Sequence, residues 1–361
     1  MSDTENSSGD TLADVGEKGY LRKLLPQLPV GTGLLNGFGH DAAIVDLETG
    51  SDDVLVMKID RAAHPVATSR GWCDYKLWGR LAVTTCASDI LAVGGTPKSL
   101  LLSLILPRSF RVHDADMIVA GCLESCLEHG ITLVGGDTKE GRAAEVVAAA
   151  IGVVSRSQAI GRHGSLPGDY LVLVGELGGF EGAHSLLTDE GIDRPGDGNQ
   201  ELIDYLAYPH AKTEIAANLL RLPGIVAGMD LSDGLYDAAN VLRGEFGAVI
   251  YSSSLPLHQF ALKYASLKRF DPTDLAFGVG DWAILYILRS HSLEEAERLV
   301  NRVPGAEIIG HISDTPGVWM KTRQEVRAAK PIINEHFVRR MEDNPDLFSN
   351  KHRRMTGGNN E

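Results

Sequence analysis

Cysteine is scarce in this chain: Cys73, Cys86, Cys122 and Cys126 are the only four. None forms a CxxC pair, which excludes the common zinc-site spacings. Cys122 and Cys126 lie four apart and share one helix face, so they read as small packing residues in a reducing compartment. An excess of basic charge is also missing. Lys and Arg total 34 against 48 Asp and Glu, a net charge of −14. That excludes nucleic acid as a partner, because phosphate backbones need clustered cations. No apolar run reaches the roughly 18 residues of a membrane span. The first fourteen residues are acidic and polar, unlike a secretory signal. A cytoplasmic protein is expected. There is no Walker A sequence and no dinucleotide fingerprint. A protein-kinase catalytic loop is absent as well.

What is present fits two α+β domains. The length, 361 residues, exceeds one typical core. Residues 1–15 read as a disordered leader, with a short helix from Gly16 carrying Leu21, Leu24, Leu25 and Leu28. The apolar runs Ala42–Val45 and Val54–Ile59 flank an acidic turn, a hairpin signature. Leu77 to Val93 reads as a long buried helix, and Val112 to Glu128 as an amphipathic one. Ile131–Val134 and Val146–Val154 read as strands around a polar loop, Gly135 to Glu145. A Gly- and Ser-rich shift at Ser155–Asp169 marks the boundary between domains 16–155 and 156–330. A flexible tail is expected over 344–361.

The informative feature is a set of aspartates at the edges of apolar segments. They are Asp41 after Gly39-His40, Asp60 after Lys58-Ile59, and Asp89 after Ser88. Asp137 follows Gly135-Gly136, and Asp230 and Asp233 bracket Leu231-Ser232. One such acid is most often an N-cap or a turn residue. Five such acidic segments together at burial edges would repel one another without a cation. Magnesium takes hard oxygen ligands and shares them with substrate phosphates. Adjacent glycines let a phosphate approach the backbone. Lys139 and Arg142 follow Asp137 and suit phosphate contact equally with a solvated loop.

In this order, these segments resemble the superfamily of aminoimidazole-ribonucleotide synthetase, selenophosphate synthetase, the hydrogenase-maturation carbamoyl dehydratase and thiamine-monophosphate kinase. The resemblance runs from about Gly16 to about Ile312. It rests on Phe38-Gly39-His40-Asp41-Ala42-Ala43, on Ala82 to Gly95, on Val134-Gly135-Gly136-Asp137-Thr138, and on Leu166-Pro167-Gly168-Asp169. Thiamine-monophosphate kinase is the nearest branch, through Met229 to Leu235 and Ile309 to Ile312. Gly278-Val279-Gly280-Asp281-Trp282 resembles its late Gly-Glu-Asp-Tyr segment, with Val279 and Trp282 standing for the usual Glu and Tyr. His40 stands where the kinase usually carries a second Asp. The stretch Arg61 to Trp78, with His64 and Trp72, departs from the kinase's substrate segment. A terminal cysteine tail and an early reactive cysteine are lacking, which disfavours the hydrogenase and selenium branches.

The resemblance implies ATP- and Mg2+-dependent phosphorylation of a small-molecule acceptor. It implies a two-domain synthetase-like fold and a homodimer whose N-terminal domains form a shared β-barrel. Asp41, Asp60, Asp89, Asp137 and Asp233 would hold metal, with Asp89, Asp137 and Asp233 central to catalysis. Gly135, Gly136, Thr138, Lys139, Arg142 and Ser232 would contact the nucleotide, and Asp281 and Trp282 the acceptor. Two alternatives stand beside this reading: a cyclo-ligase or synthetase that activates an amide or carbonyl oxygen, and a non-catalytic nucleotide-binding protein.

Overall fold

The computed structural model describes residues 11–48, 50–189 and 198–330. The chain opens with helix α1 (Leu12–Leu24). The start expected at Gly16 lies four residues too late; of the expected leader, residues 12–15 belong to α1 and residues 1–10 lie outside the described residues. The Thr11 backbone N–H and hydroxyl both donate to the Asp14 carboxylate, at 2.8 and 2.6 Å, and start the helix. Gly16 then kinks it, at φ 70°. The tail expected over 344–361 lies outside the described residues.

The first layer contains β1 (Ala43–Val45), β2 (Asp53–Ala62), the short α2 (Val66–Ser69) and α3 (Lys76–Ala92). β3 (Thr96–Leu106), α4 (Val112–Glu128), β4 (Thr132–Glu140) and β5 (Glu145–Ser155) complete it. The strands form one sheet in the order β1-β2-β5-β3-β4. Alternate residues such as Val54, Val56, Leu102, Val146 and Ala148 are buried under α3 and α4. The two helices touch at glycine: a Cβ on Gly79 would meet the Ile118 carbonyl at 1.9 Å, and one on Gly121 the Lys76 carbonyl at 2.0 Å.

The other face of this sheet is apolar and exposed. Ile59 is 70%, Val134 56% and Met57 45% accessible. The sheet is open, with β1 and β4 at its edges and the outer side of β1 bridged at Leu34↔Val45, and no closed barrel forms among the described residues. β4 also corrects the expected loop at Gly135. It runs on to Glu140 because its backbone pairs in parallel with β3, from Leu101↔Gly135 to Leu106↔Glu140. Its side chains are nearly all exposed, so no apolar alternation marked it.

The second layer begins with β6 (Tyr170–Val174), α5 (Gly179–Asp189), α6 (Gln200–Ala207) and α7 (Thr213–Leu219). β7 (Ile225–Asp230), α8 (Leu235–Leu242), β8 (Gly247–Tyr251) and α9 (Gln259–Lys268) follow. β9 (Ile284–Leu288), α10 (Leu293–Val300), β10 (Ala306–Ser313), β11 (Gly317–Lys321) and β12 (Val326–Ala328) end it. The sheet order is β12-β11-β8-β10-β6-β9-β7. α3 joins the two layers. The Tyr286 hydroxyl donates to the Leu91 carbonyl at 2.9 Å, and a Cβ on Gly228 would meet the Ala92 carbonyl at 2.4 Å. The end of α3 is thereby wedged against β7 and β9, which carries Asp89 to the junction. Among the described residues, no helix is long and apolar enough to cross a membrane.

Candidate functional site

Three buried carboxylates converge at that junction. Asp41 sits in the loop before β1, Asp89 on α3, and Asp230 at the end of β7. One oxygen from each lies within 4.8 Å of the others. Unit charges so placed repel by about 3.5 kcal/mol per pair at an effective dielectric near 20. Burial pushes Asp230 up to about 7, and the Asp41 charge adds to it, while the Ser232 hydrogen bond opposes. Burial and the charges of Asp230 and Asp41 also raise Asp89 well above the carboxylate range, with Lys58 opposing. Groups so perturbed exchange a proton for a cation readily.

Two side chains already answer part of this charge. Arg162, in the connection between the layers, donates from Nε and Nη2 to the two oxygens of Asp41, at 3.0 and 2.9 Å. Its Nη1 donates to the Gly39 carbonyl at 3.1 Å. Lys58 Nζ lies 2.8 Å from Asp89. The Ser232 hydroxyl donates to Asp230 at 2.9 Å. His40, expected from the resemblance to stand in for a second acid, has another task. Its Nδ1 accepts from the Arg162 backbone N–H at 3.0 Å. The ring packs so closely that a Cβ on Gly161 would meet it at 2.6 Å. His40 is a strut between the layers, outside the carboxylate group.

The remaining expected acids lie elsewhere. Asp60 is 3.9 Å from Lys58. Asp233 is 3.5 Å from Lys18, which also donates to Asp237 at 2.6 Å, so it ties α1 to α8. Asp137 is exposed and 3.5 Å from Lys139. In register it follows Ser103 of β3, Val147 of β5 and Arg61 of β2. Three strand spacings therefore separate it from β2, about 14 Å. Asp137 and Lys139 face the uncovered side of the sheet, opposite the carboxylate group. Gly135, Thr138 and Arg142 are with them along this edge. A Cβ on Gly136 would meet the Leu102 carbonyl at 1.8 Å, so that glycine is needed for strand pairing.

A cleft of about 580 Å3 opens beside the carboxylates. Asp60, Asp230 and Ser232 line it from one side, with Lys212, Asp281 and Trp282 among its other walls. Apolar side chains such as Leu77, Leu81 and Phe180 fill the space between. Arg61 and His64 border the cleft too, whereas Trp72 is buried in the core. Asp281 accepts from the Gly178 and Phe180 backbone N–H groups at 2.6 and 2.8 Å, at the start of α5. Tyr205 OH lies 3.4 Å away. Burial pushes Asp281 up to about 6 against those two N–H groups. Its oxygens are thus committed to holding α5. Trp282 next to it has φ 53°, a left-handed conformation costly for a bulky residue. In this conformation Trp282 forms part of the cleft wall. Lys212 makes no ion pair among the described residues; burial lowers its pKa, with Asp281 and Glu176 opposing.

The metal set expected from the resemblance includes Asp233, whereas the carboxylates that lie together are Asp41, Asp89 and Asp230. The distinguishing signal was there: Asp230 directly ends the apolar run Ile225–Met229, whereas Asp233 precedes a glycine turn. Lys58, Arg162 and Lys212 were missed, because a lone cation far along the chain has no local pattern.

The family model for AIR synthase related protein, N-terminal domain, matches residues 39–154. The thiamine-monophosphate kinase of Bacillus subtilis is 30% identical over 229 residues, 62% of this chain and 69% of that one. The thiamine-monophosphate kinase of Synechococcus elongatus is 29% identical over 327 residues, 87% of this chain and 94% of that one. Among solved structures, AaThiL complexed with AMPPCP and TMP superposes with a TM-score of 0.77. It covers 91% of this chain and all of that one, at 24% identity. The chain belongs to the thiamine-monophosphate kinase family of ATP-dependent phosphotransferases.

Proposed function

We propose that this protein transfers the terminal phosphoryl group of ATP to a phosphorylated small molecule, with thiamine monophosphate as the acceptor, in a Mg2+-dependent reaction in the cytoplasm. The observation that carries the reading is the convergence of Asp41, Asp89 and Asp230 beside the cleft. Three buried carboxylates fit a hard divalent cation, which uses oxygen ligands and lowers their mutual repulsion. Magnesium held there would neutralise charge on the transferred group. Asp41, Asp89 and Asp230 would hold it, Arg162 keeping Asp41 in place and Ser232 orienting Asp230.

The rest of the cleft suits the acceptor. Trp282 offers a ring face for stacking, held by the capping role of Asp281. Lys212 offers an ammonium to an anionic group, since a cation with no ion-pair partner among the described residues is costly in a partly buried wall until a ligand supplies the charge. The domains are taken as 16–155 and 156–330. The uncovered face of the first sheet, with Met57, Ile59, Leu101 and Val134, fits a homodimer that closes the sheets into a shared barrel. Asp137, Lys139 and their neighbours stand at the rim of that face and are assigned to the nucleotide phosphates in the dimer.

The test is ADP release from ATP with and without Mg2+ and thiamine monophosphate. Release that requires both supports the reading. ADP release without acceptor, or no turnover under any combination, contradicts it. Free inorganic phosphate in place of a phosphorylated product favours a synthetase.

A further inference from the structure

Lys58 stands between two acids beside the carboxylate group. Lys58 and Asp60 alternate on the inward face of β2, two residues apart, so the strand sends an ammonium and a carboxylate to the same side. α3, packed on that same face, supplies Asp89. The ammonium sits between the two acids, 2.8 Å from Asp89 and 3.9 Å from Asp60. The lysine and Asp89 are well shielded, with 22% and 7% of their side chains accessible. A close, shielded pair of this kind has one geometry and little reason to open to water.

The charge balance gives the arrangement its meaning. Once fully ionised, Asp41, Asp60, Asp89 and Asp230 bring four negative charges, and Lys58 and Arg162 bring two positive ones. Two negative charges remain, which one divalent ion balances. Without Lys58 three would remain, and Asp60 and Asp89 would face each other with nothing between them.

We propose that Lys58 is a built-in cation that replaces one divalent ion, so that Asp60 and Asp89 are bridged by an ammonium and the site takes one fewer metal ion than its carboxylates would otherwise bind. The residue is a positioning one. It fixes Asp89 for the metal shared with Asp41 and Asp230, and it removes Asp60 from the ligand set. The inference rests on the metal–nucleotide reading above.

The test counts Mn2+ ions per protomer, by electron paramagnetic resonance titration with a non-hydrolysable ATP analogue, in the wild type, Lys58→Ser, Lys58→Arg and Asp60→Asn. Lys58→Ser should bind one more ion than the wild type, and Lys58→Arg the same number. Asp60→Asn should also keep the wild-type number, because in the native site Asp60 serves the lysine. Equal counts in wild type and Lys58→Ser overturn the proposal. Loss of an ion in Asp60→Asn does so too, and that variant decides the matter if Lys58→Ser does not fold. Absence of bound Mn2+ in every protein overturns the metal–nucleotide reading together with this one. Ions in the wild type with no change in Lys58→Ser sink the lysine's role alone.

Discussion

Replacing Asp230 by Asn should stabilise the metal-free protein while abolishing most of its turnover. The size follows from the perturbation. Burial and Asp41 raise Asp230 from 3.8 to about 7. That is about three pH units, at about 1.4 kcal/mol each. The sign is set by proton uptake. Between pH 3.8 and about 7 the folded protein holds this proton more tightly than the unfolded chain. Stability is therefore full below the lower value and is lost as pH rises through the higher one. Above pH 7 the ionised side chain costs about 4 kcal/mol, and Asn removes that cost while still accepting from Ser232. Imperfect replacement of the Ser232 contact gives back about 1 kcal/mol. Thermal unfolding in EDTA at pH 8 should show the variant melting several degrees above the wild type, the gap closing as pH falls toward 4. Added Mg2+ should raise the wild type and leave the variant nearly unmoved. A variant that melts below the wild type at pH 8 in EDTA would refute the electrostatic account and make Asp230 a structural hydrogen-bonding group.

Three further outcomes are expected. Asp281→Ala removes the acceptor for the Gly178 and Phe180 N–H groups; it should cost about 1–2 kcal/mol of stability and raise KM for the acceptor, as Trp282 loses its support, and unchanged melting would mean the start of α5 is held by something else. Lys212→Met should raise KM for thiamine monophosphate about tenfold, the worth of a charged hydrogen bond of about 1.5 kcal/mol, with the ATP KM unchanged; steady-state kinetics with each substrate varied reads this directly. Ile59→Asp puts a charge on the apolar face of the first sheet; light scattering at micromolar concentration should show the wild type as a dimer and the variant as a monomer, and a monomeric wild type contradicts the pairing.

Much of the fold could be read along the chain where side-chain periodicity and burial agree. α3 is apolar on nearly every side because both layers pack on it, and Leu77 to Val93 showed that as a run. The hairpin of β1 and β2 showed in two apolar stretches around an acidic turn. β4 was hidden because its order comes from backbone pairing with β3, while Asp137 and Lys139 point to solvent. α1 was placed late because Thr11 and Asp14 form a polar start that looks like a leader. At the site, Asp41 and Asp89 were visible as acids beside apolar segments. The choice between Asp230 and Asp233 was marked only by the apolar run that Asp230 ends; Lys18, which engages Asp233, lies more than two hundred residues away. His40 looked like an altered ligand until the Arg162 backbone gave its nitrogen another partner. The misses at the site involve contacts between distant positions, which no local pattern encodes.

The most direct test of phosphoryl transfer follows the label from [γ-32P]ATP in the presence of Mg2+ and thiamine monophosphate, for the wild type and Asp230→Asn. The wild type should place the label in the organic product, mole for mole with ADP, and the variant should do so at least about a hundredfold more slowly, a barrier increase of about 3 kcal/mol. Label recovered only as inorganic phosphate, or transferred equally fast by Asp230→Asn, would contradict the account.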